Sequence, residues 1–373
     1  MVKISSKKGE NMAYISSVGL GIPNHHIHQD EVKALIKQIF TYSERKLDRL
    51  LSVFDRAAIT NRQLVVGLDW FLKDHSFQEK NDLYVQFARE YSLSAIDHCL
   101  TNGDFIKKDI PFEAIDMIIF VSSTGIATPS IDTLLMNDRP FRANVMRMPL
   151  WGLGCAGGAI GLSRARDWLV AHPDNNVLVI CSELCSLTFQ KGDMRKSNLI
   201  GTALFGDGTS AVLLMGERSP YQNYQKQNGP KIIQTSSVTE KNSSQVMGWN
   251  VTNQGFEVIF SKNIPNLVHT VWKNHLDDFL TSHQLTEQDI HSFIAHPGGR
   301  KVLEAMEGAC SISRPKLLHS YNILKHHGNM SSATVLYVLE KWLKETKVRN
   351  KKSVLSALGP GFSSELLLLE WDQ

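Results

Sequence analysis

Residues Trp151–Leu169 read WGLGCAGGAIGLSRARDWL. An apolar run, Val145–Trp151, enters this stretch, and apolar residues at helical spacing leave it over Gly158–Val170. Between them Cys155 stands among Gly154, Ala156, Gly157 and Gly158, residues small enough for a sharp strand-to-helix turn. A thiol at such a turn lies at the positive end of the helix dipole, which favours the thiolate. Free cysteine is also among the most buried and inert of residues. A nucleophile and a structural thiol both fit this stretch taken alone.

Working outward, strand-like and helix-like segments alternate, as in layered α/β folds. Ala13–Pro23 reads as a strand leaving through a glycine-rich turn, and its GxG lacks the third glycine of a dinucleotide loop. Asp30–Phe40, Glu44–Phe54 and Leu83–Cys99 have helical spacing. DMIIFVSSTG (Asp116–Gly125), NVLVICSE (Asn176–Glu183) and TSAVLLMG (Thr209–Gly216) read as strands buried on both faces. Residues 217–230 are polar and aperiodic, and read as a loop. The pattern then repeats: DIHSFIAHPGG (Asp289–Gly299) parallels DMIIFVSSTG, and SSELLLLEW (Ser363–Trp371) parallels TSAVLLMG. We expect an extension over 1–12, one α/β half over 13–216 and a similar half over 231–373, with a site between them.

The chain has 373 residues, 42% hydrophobic and 21% charged, with 40 basic against 37 acidic side chains. That balance gives no reason to expect nucleic acid as a partner. No apolar run is long enough to span a membrane, and the basic N-terminus lacks an apolar signal core. Five cysteines without regular pairing suit the reducing cytoplasm rather than a disulfide framework. Cys181 and Cys185 lack a second ligand pair, so no metal is expected.

Two further residues join Cys155 as candidates. His296 follows a predicted strand, where α/β folds place their sites. Asn329 precedes a helical apolar run, where turn and capping chemistry are an alternative reading. Its neighbours His326 and His327 are expected at the surface. A thiol, an imidazole and an amide allow acyl transfer with carbon–carbon bond formation, or papain-like hydrolysis, which uses the same order. The papain signature, however, lies near the N-terminus in a CGSCW-like context, whereas GLGCAGG is mid-chain.

GLGCAGGAIGLSRA, ALFGDGTSA (Ala203–Ala211), IAHPGG (Ile294–Gly299), HGNMSSATVL (His327–Leu336) and LGPGFSSE (Leu358–Glu365) occur in that order. Together they resemble a type III polyketide synthase, the chalcone synthase-like branch of the thiolase fold, from about Ala13 to Trp371. The resemblance implies a homodimer of αβαβα subunits using acyl-CoA and malonyl-CoA, with no cofactor beyond these coenzyme A thioesters. It implies a triad of Cys155, His296 and Asn329, with Cys155 carrying the acyl chain and held as a thiolate–imidazolium pair with His296. Phe205 matches the family's gatekeeper. Thr188, Trp249, Val258 and Ser331 match cavity positions, as do Leu358, Gly359 and Pro360 of the LGPG loop. Thr128 matches a residue that reaches into the partner's cavity. Arg56, Gly298 and Gly299 match positions near coenzyme A.

The sequence departs from the plant pattern at three places. Val258 replaces a second gating phenylalanine, ALGPG (Ala357–Gly361) replaces GFGPG, and Trp249 replaces a cavity glycine. Val258 and Leu358 suggest an apolar tunnel, in which each buried methylene gains about 0.8 kcal/mol. Trp249 narrows one route and limits the number of extensions. The pattern is that of bacterial alkylpyrone synthases: a medium- or long-chain fatty acyl-CoA starter, two or three malonyl extensions, and an alkylpyrone or alkylresorcinol product. A carrier-protein-dependent ketoacyl synthase III, an aromatic-starter enzyme, a hydrolase and a non-catalytic binding protein are the competing readings.

Overall fold

The continuous apolar runs become strands with both faces covered. In the computed structural model, which describes residues 11–40, 43–345 and 350–371, the strands are β1 (Ala13–Gly21), β2 (His25–His28), β3 (Asn61–Leu64), β4 (Met117–Ser122), β5 (Met146–Trp151), β6 (Asn176–Leu184), β7 (Asp207–Gly216), β8 (Lys231–Thr239), β9 (Met247–Thr252), β10 (Gly255–Phe260), β11 (Ile290–Ala295), β12 (Lys352–Gly359) and β13 (Ser363–Glu370). Every residue of β4, β6 and β7 is buried, which explains why these segments lack polar alternation.

Nine strands form one sheet in the order β11-β12-β13-β8-β1-β7-β6-β4-β5. Its two ends share one pairing scheme. In the first half β4 runs parallel to β6, and β6, β7 and β1 are successively antiparallel. In the second, β11 runs parallel to β12, and β12, β13 and β8 are successively antiparallel. The seam is thin: β1 and β8 share the pair Tyr14/Lys231, and Ile15 N–H donates to Pro230 O at 3.0 Å.

Two helices, Gly157–Ala171 and Thr334–Leu343, each touch strands of both halves. Phe77–Thr101 packs on β1, β6 and β7, and Lys273–Ser282 packs on β13. The layers therefore alternate αβαβα, as the thiolase-like reading expects. Gly158 lets the central layer close, because a Cβ there would lie 2.3 Å from Ser332 O. Nearly every residue of Thr334–Leu343 is buried, as a helix apolar on all sides must be.

Strands β8, β9 and β10 had no counterpart in the sequence reading. The β9–β10 hairpin sets Val258 directly opposite Trp249, so two residues nine apart in sequence become cross-strand neighbours.

Candidate active site

Cys155 owes its position to backbone geometry. After β5 the chain turns through Gly152 (φ 83°) and Gly154 (φ 48°) into a 3-10 turn, Gly154–Ala156, and then the Gly157–Ala171 helix. A side chain at Gly154 would be strained by its left-handed φ and would lie 2.7 Å from Pro360. Gly359 packs as tightly, its Cβ position 2.6 Å from Ala156 Cβ. The LGPG loop thus buttresses the turn that carries the thiol.

Cys155 is 8% exposed, and its Sγ lies 3.9 Å from Asn329 Oδ1. Burial pushes the thiol up to about 12, outweighing its hydrogen bonds with Ser331 and Asn329. The sequence reading expected the helix end to favour a thiolate. Desolvation in this buried site thus opposes the thiolate that the helix end favours.

His296 immediately follows β11, its N–H donating to Ser356 O of β12 at 2.8 Å. It is 2% exposed, and neither ring nitrogen has a hydrogen-bond partner. Burial pulls the imidazole down to about 3, so it is neutral near pH 7. Asn329 lies between the Leu318–His327 helix and a 3-10 turn at Ser331–Ala333. Its backbone is pinned in both directions: N–H to Leu204 O at 2.8 Å, and O from Gly206 N–H at 3.0 Å. Its Nδ2 donates to Gly298 O at 3.2 Å, and its Oδ1 accepts from Ser331 N–H at 2.8 Å. Gly298 N–H in turn donates to His296 O at 3.0 Å. Three distant segments therefore converge, the thiol from one half and the imidazole and amide from the other.

The backbone bonds that pin Asn329 also place Phe205, which bridges it. The Phe205 ring packs against Trp249 (centroids 5.8 Å apart) and Phe260 (5.6 Å). Phe205, Val258 and Thr188 line a cavity of about 50 Å³ whose other walls include Leu35, Leu68, Phe71 and Phe189. Leu358 is no part of that wall: it packs in the C-terminal core. Gly299 lies beside Leu204, and a Cβ on Gly298 would sit 3.7 Å from the His296 ring. Arg56 turns back along its own helix, its Nε donating to Ser52 O at 3.0 Å. Thr128 is exposed on the loop after β4, at a cis bond to Pro129. His327 departs from the surface reading. It is half-buried, its Nδ1 lies 2.7 Å from Gln63 Oε1, and burial pulls it down to about 4.

Among the buried charged residues that sequence reading missed are Arg62, Glu183 and Asp207. Arg62 is 1% exposed and donates to the carbonyls of Thr202 (2.8 Å), Ala203 (2.8 Å) and Phe205 (2.6 Å), and to Gln29 Oε1. It therefore holds the main chain around Phe205, and burial lowers it to about 9 against the pull of Asp207. Asp207 accepts from Val65 N–H and from Ser186 N–H and Oγ–H, and burial raises it to about 6. Glu183 accepts from Ser123 N–H and Oγ–H, Thr124 Oγ–H and Ser332 Oγ–H, and burial raises it too. The available signal was a carboxylate inside an otherwise apolar run, in CSELC and in FGDG.

The model of the chalcone and stilbene synthase N-terminal domain matches residues 3–218, and that of the C-terminal domain matches residues 233–371. The chain belongs to the chalcone and stilbene synthase family of type III polyketide synthases. It is 46% identical over 363 residues to a Bacillus subtilis (strain 168) protein named "Putative chalcone synthase", covering 97% of this chain and 100% of that one. A 1,3,6,8-tetrahydroxynaphthalene synthase of Streptomyces peucetius subsp. caesius is 33% identical, with 96% of this chain and 93% of that one covered. The crystal structure of the 1,3,6,8-tetrahydroxynaphthalene synthase of Streptomyces coelicolor A3(2), a bacterial type III polyketide synthase, superposes with a TM-score of 0.89 at 25% identity, over 96% of this chain and 99% of that one. This synthase is accordingly an acyl-transferring enzyme. Among its described residues no helix is long and apolar enough to cross a membrane, and no cluster of His, Cys, Asp or Glu is placed to hold a metal ion.

Proposed function

We propose that this synthase loads a fatty acyl group from coenzyme A onto Cys155, extends it with malonyl-CoA, and releases a triketide or tetraketide alkylpyrone. One observation carries the chemistry: His296 is buried with both ring nitrogens unpartnered, and Asn329, tied to the same segment through Gly298 O, has only one Nδ2 hydrogen engaged within the protein. Buried polar groups normally have partners, and these two donors can meet in the oxygen of a bound thioester.

In this reading Sγ of Cys155 attacks the acyl-CoA carbonyl while its proton passes to His296, and the departing coenzyme A sulfur takes that proton. The malonyl thioester carbonyl then accepts hydrogen bonds from His296 and Asn329. Loss of carbon dioxide leaves an enolate on that oxygen, and its carbon attacks the acyl–Cys155 carbonyl. The Sγ–acyl bond breaks and a 3-ketoacyl-CoA results. A neutral imidazole is the form needed at both points, since it accepts a proton once and donates a hydrogen bond once.

The apolar walls beside Val258 and Phe205 support an aliphatic starter over an aromatic one. Lactonisation gives the alkylpyrone, and aldol closure gives an alkylresorcinol instead. Arg56, although turned along its helix here, and Gly298 and Gly299 are proposed to lie near coenzyme A. A homodimer is supported by the β5 edge, where Met146 and Trp151 are each 51% exposed. Five free, buried cysteines suit the cytoplasm.

The test incubates the enzyme with malonyl-CoA and acyl-CoAs from acetyl through p-coumaroyl to stearoyl, with products read by mass spectrometry. Alkylpyrones from long chains are the expected result. Preference for p-coumaroyl overturns the starter assignment but leaves the triad standing. Condensation only with acyl carrier protein substrates overturns the use of coenzyme A. Asn329→Ala is expected to lose malonyl-CoA decarboxylation while still loading Cys155; full condensation in that variant removes Asn329 from the mechanism.

A further inference from the structure

We infer that Phe71 and Phe189 form the wall that sets starter length, and that chains longer than the inner cavity part these rings and end in a polar hollow at the surface. The inference rests on the fatty acyl reading and says where the chain goes. The cavity behind Thr188, Phe205 and Val258 measures about 50 Å³. A water-sized group occupies about 10–15 Å³ by that measure, so the cavity takes roughly four such groups. A chain of a dozen methylenes does not fit.

Phe71 and Phe189, which line this cavity, also line a second hollow of about 630 Å³. Their rings meet edge-to-face with centroids 5.7 Å apart, and Phe40 packs on Phe189 at 6.4 Å. The two spaces share these two rings as a common wall. The main chain beside them is tied down: Lys80 Nζ donates to Phe189 O at 3.0 Å and to Gln254 O at 3.2 Å, and Lys191 Nζ donates to Leu72 O at 2.9 Å. The side chains are held by packing and aromatic contact, with no hydrogen bond to break, so a chain can displace the rings while the backbone stays tied.

Beyond the wall the surroundings change character. The outer hollow presents the exposed Lys73 and Asp74, with the half-buried His75 and the carboxylates of Asp193 and Glu257, both paired with Arg195. A chain end that stops short of the wall must be apolar, whereas one that clears it can carry a charge.

The test uses the unmodified enzyme with two matched series of coenzyme A thioesters, from about six to about sixteen carbons: plain fatty acids, and α,ω-dicarboxylic acids linked through one end. The short dicarboxylic thioesters are expected to lose about 100-fold or more in kcat/KM against their plain counterparts, because their carboxylate is buried without a partner. The longest are expected to fall within about tenfold, since their carboxylate reaches water. An ω-carboxylate rejected at every length, with long plain chains accepted, overturns the inference and leaves the fatty acyl reading intact. No product from any plain long chain overturns that reading, and this inference with it.

Variants give a second reading. Phe189→Ala is expected to raise the ratio of kcat/KM for long over eight-carbon starters about tenfold, and Phe189→Trp to lower it, with thermal unfolding confirming that each is folded. An unchanged ratio in both folded variants overturns the role of the wall.

Discussion

Strands β4 and β11 hold corresponding places in the two halves, yet their ends are put to opposite uses. Past β4, the hydroxyls of Ser123 and Thr124 both donate to Glu183, which also accepts from Ser332. The carboxylate is fully buried, and its acceptors are occupied. Past β11, His296 is equally buried and has no partner at either nitrogen. An unpartnered buried polar group costs about 1–3 kcal/mol of stability. Repetition of the scaffold thus produced one end that ties the two halves together and one end with a buried, unpartnered imidazole.

The comparison can be broken most forcefully at Cys155, the proposed nucleophile. Cys155→Ala is expected to abolish acyl loading and lower condensation by at least about 1000-fold, read as loss of the acyl mass increment on the intact protein and of product. Retained acylation would place the nucleophile elsewhere.

The two ends should then differ in stability. Glu183→Gln puts an amide among four donors, and is expected to destabilise the fold by about 1–3 kcal/mol in denaturant titrations. His296→Phe removes an orphan, and is expected to abolish activity while leaving stability at pH 7 unchanged or higher. Equal losses in both variants would erase the distinction.

Acid sharpens it further. Burial holds His296 near 3 against the ordinary 6.5. The unfolded chain therefore takes up a proton below pH 6.5 that the folded chain refuses until about pH 3. The stability of the wild type is present above pH 6.5 and is lost as pH falls through that window. Relative to His296→Phe, the wild type is expected to lose about 2 kcal/mol between pH 6.5 and pH 5, measured by paired titrations at each pH. A constant gap would mean that the folded imidazole charges normally.

The smallest effect lies at the inner mouth of the cavity. Val258→Phe, placed against Trp249 and Phe205, is expected to shift starter preference toward shorter chains by a few carbons, with little change in unfolding midpoint. An unchanged chain-length profile would remove Val258 from the wall of the acyl site.

Much of this protein was legible in the order of its residues. Apolar runs such as MIIFVS and NVLVICSEL are long enough to be strands and lack the alternation of a half-exposed sheet. The small residues around Cys155 announce a turn, and five ordered motifs bring Cys155, His296 and Asn329 into one family pattern. Leu358 was misjudged because an apolar residue at a strand end can face either a tunnel or a core, and here the C-terminal core took it. His327 was misjudged because nothing local reveals that Gln63, 264 residues away, accepts its ring.

The sequence by itself determined the layered α/β class, the repeated halves, the turn that displays the thiol and the family. Tertiary structure set the direction in which the site's groups shift, because desolvation raises Cys155 and lowers His296 against their local chemistry. It decided the pairing of Trp249 with Val258, and the use of Arg62 to hold the Phe205 carbonyl. It also decided the cavity of about 50 Å³ that Phe71 and Phe189 help to line. Each depends on groups far apart in the chain meeting in a medium without water, where the strength of a charge or a contact is set by its neighbours rather than by its place in the sequence.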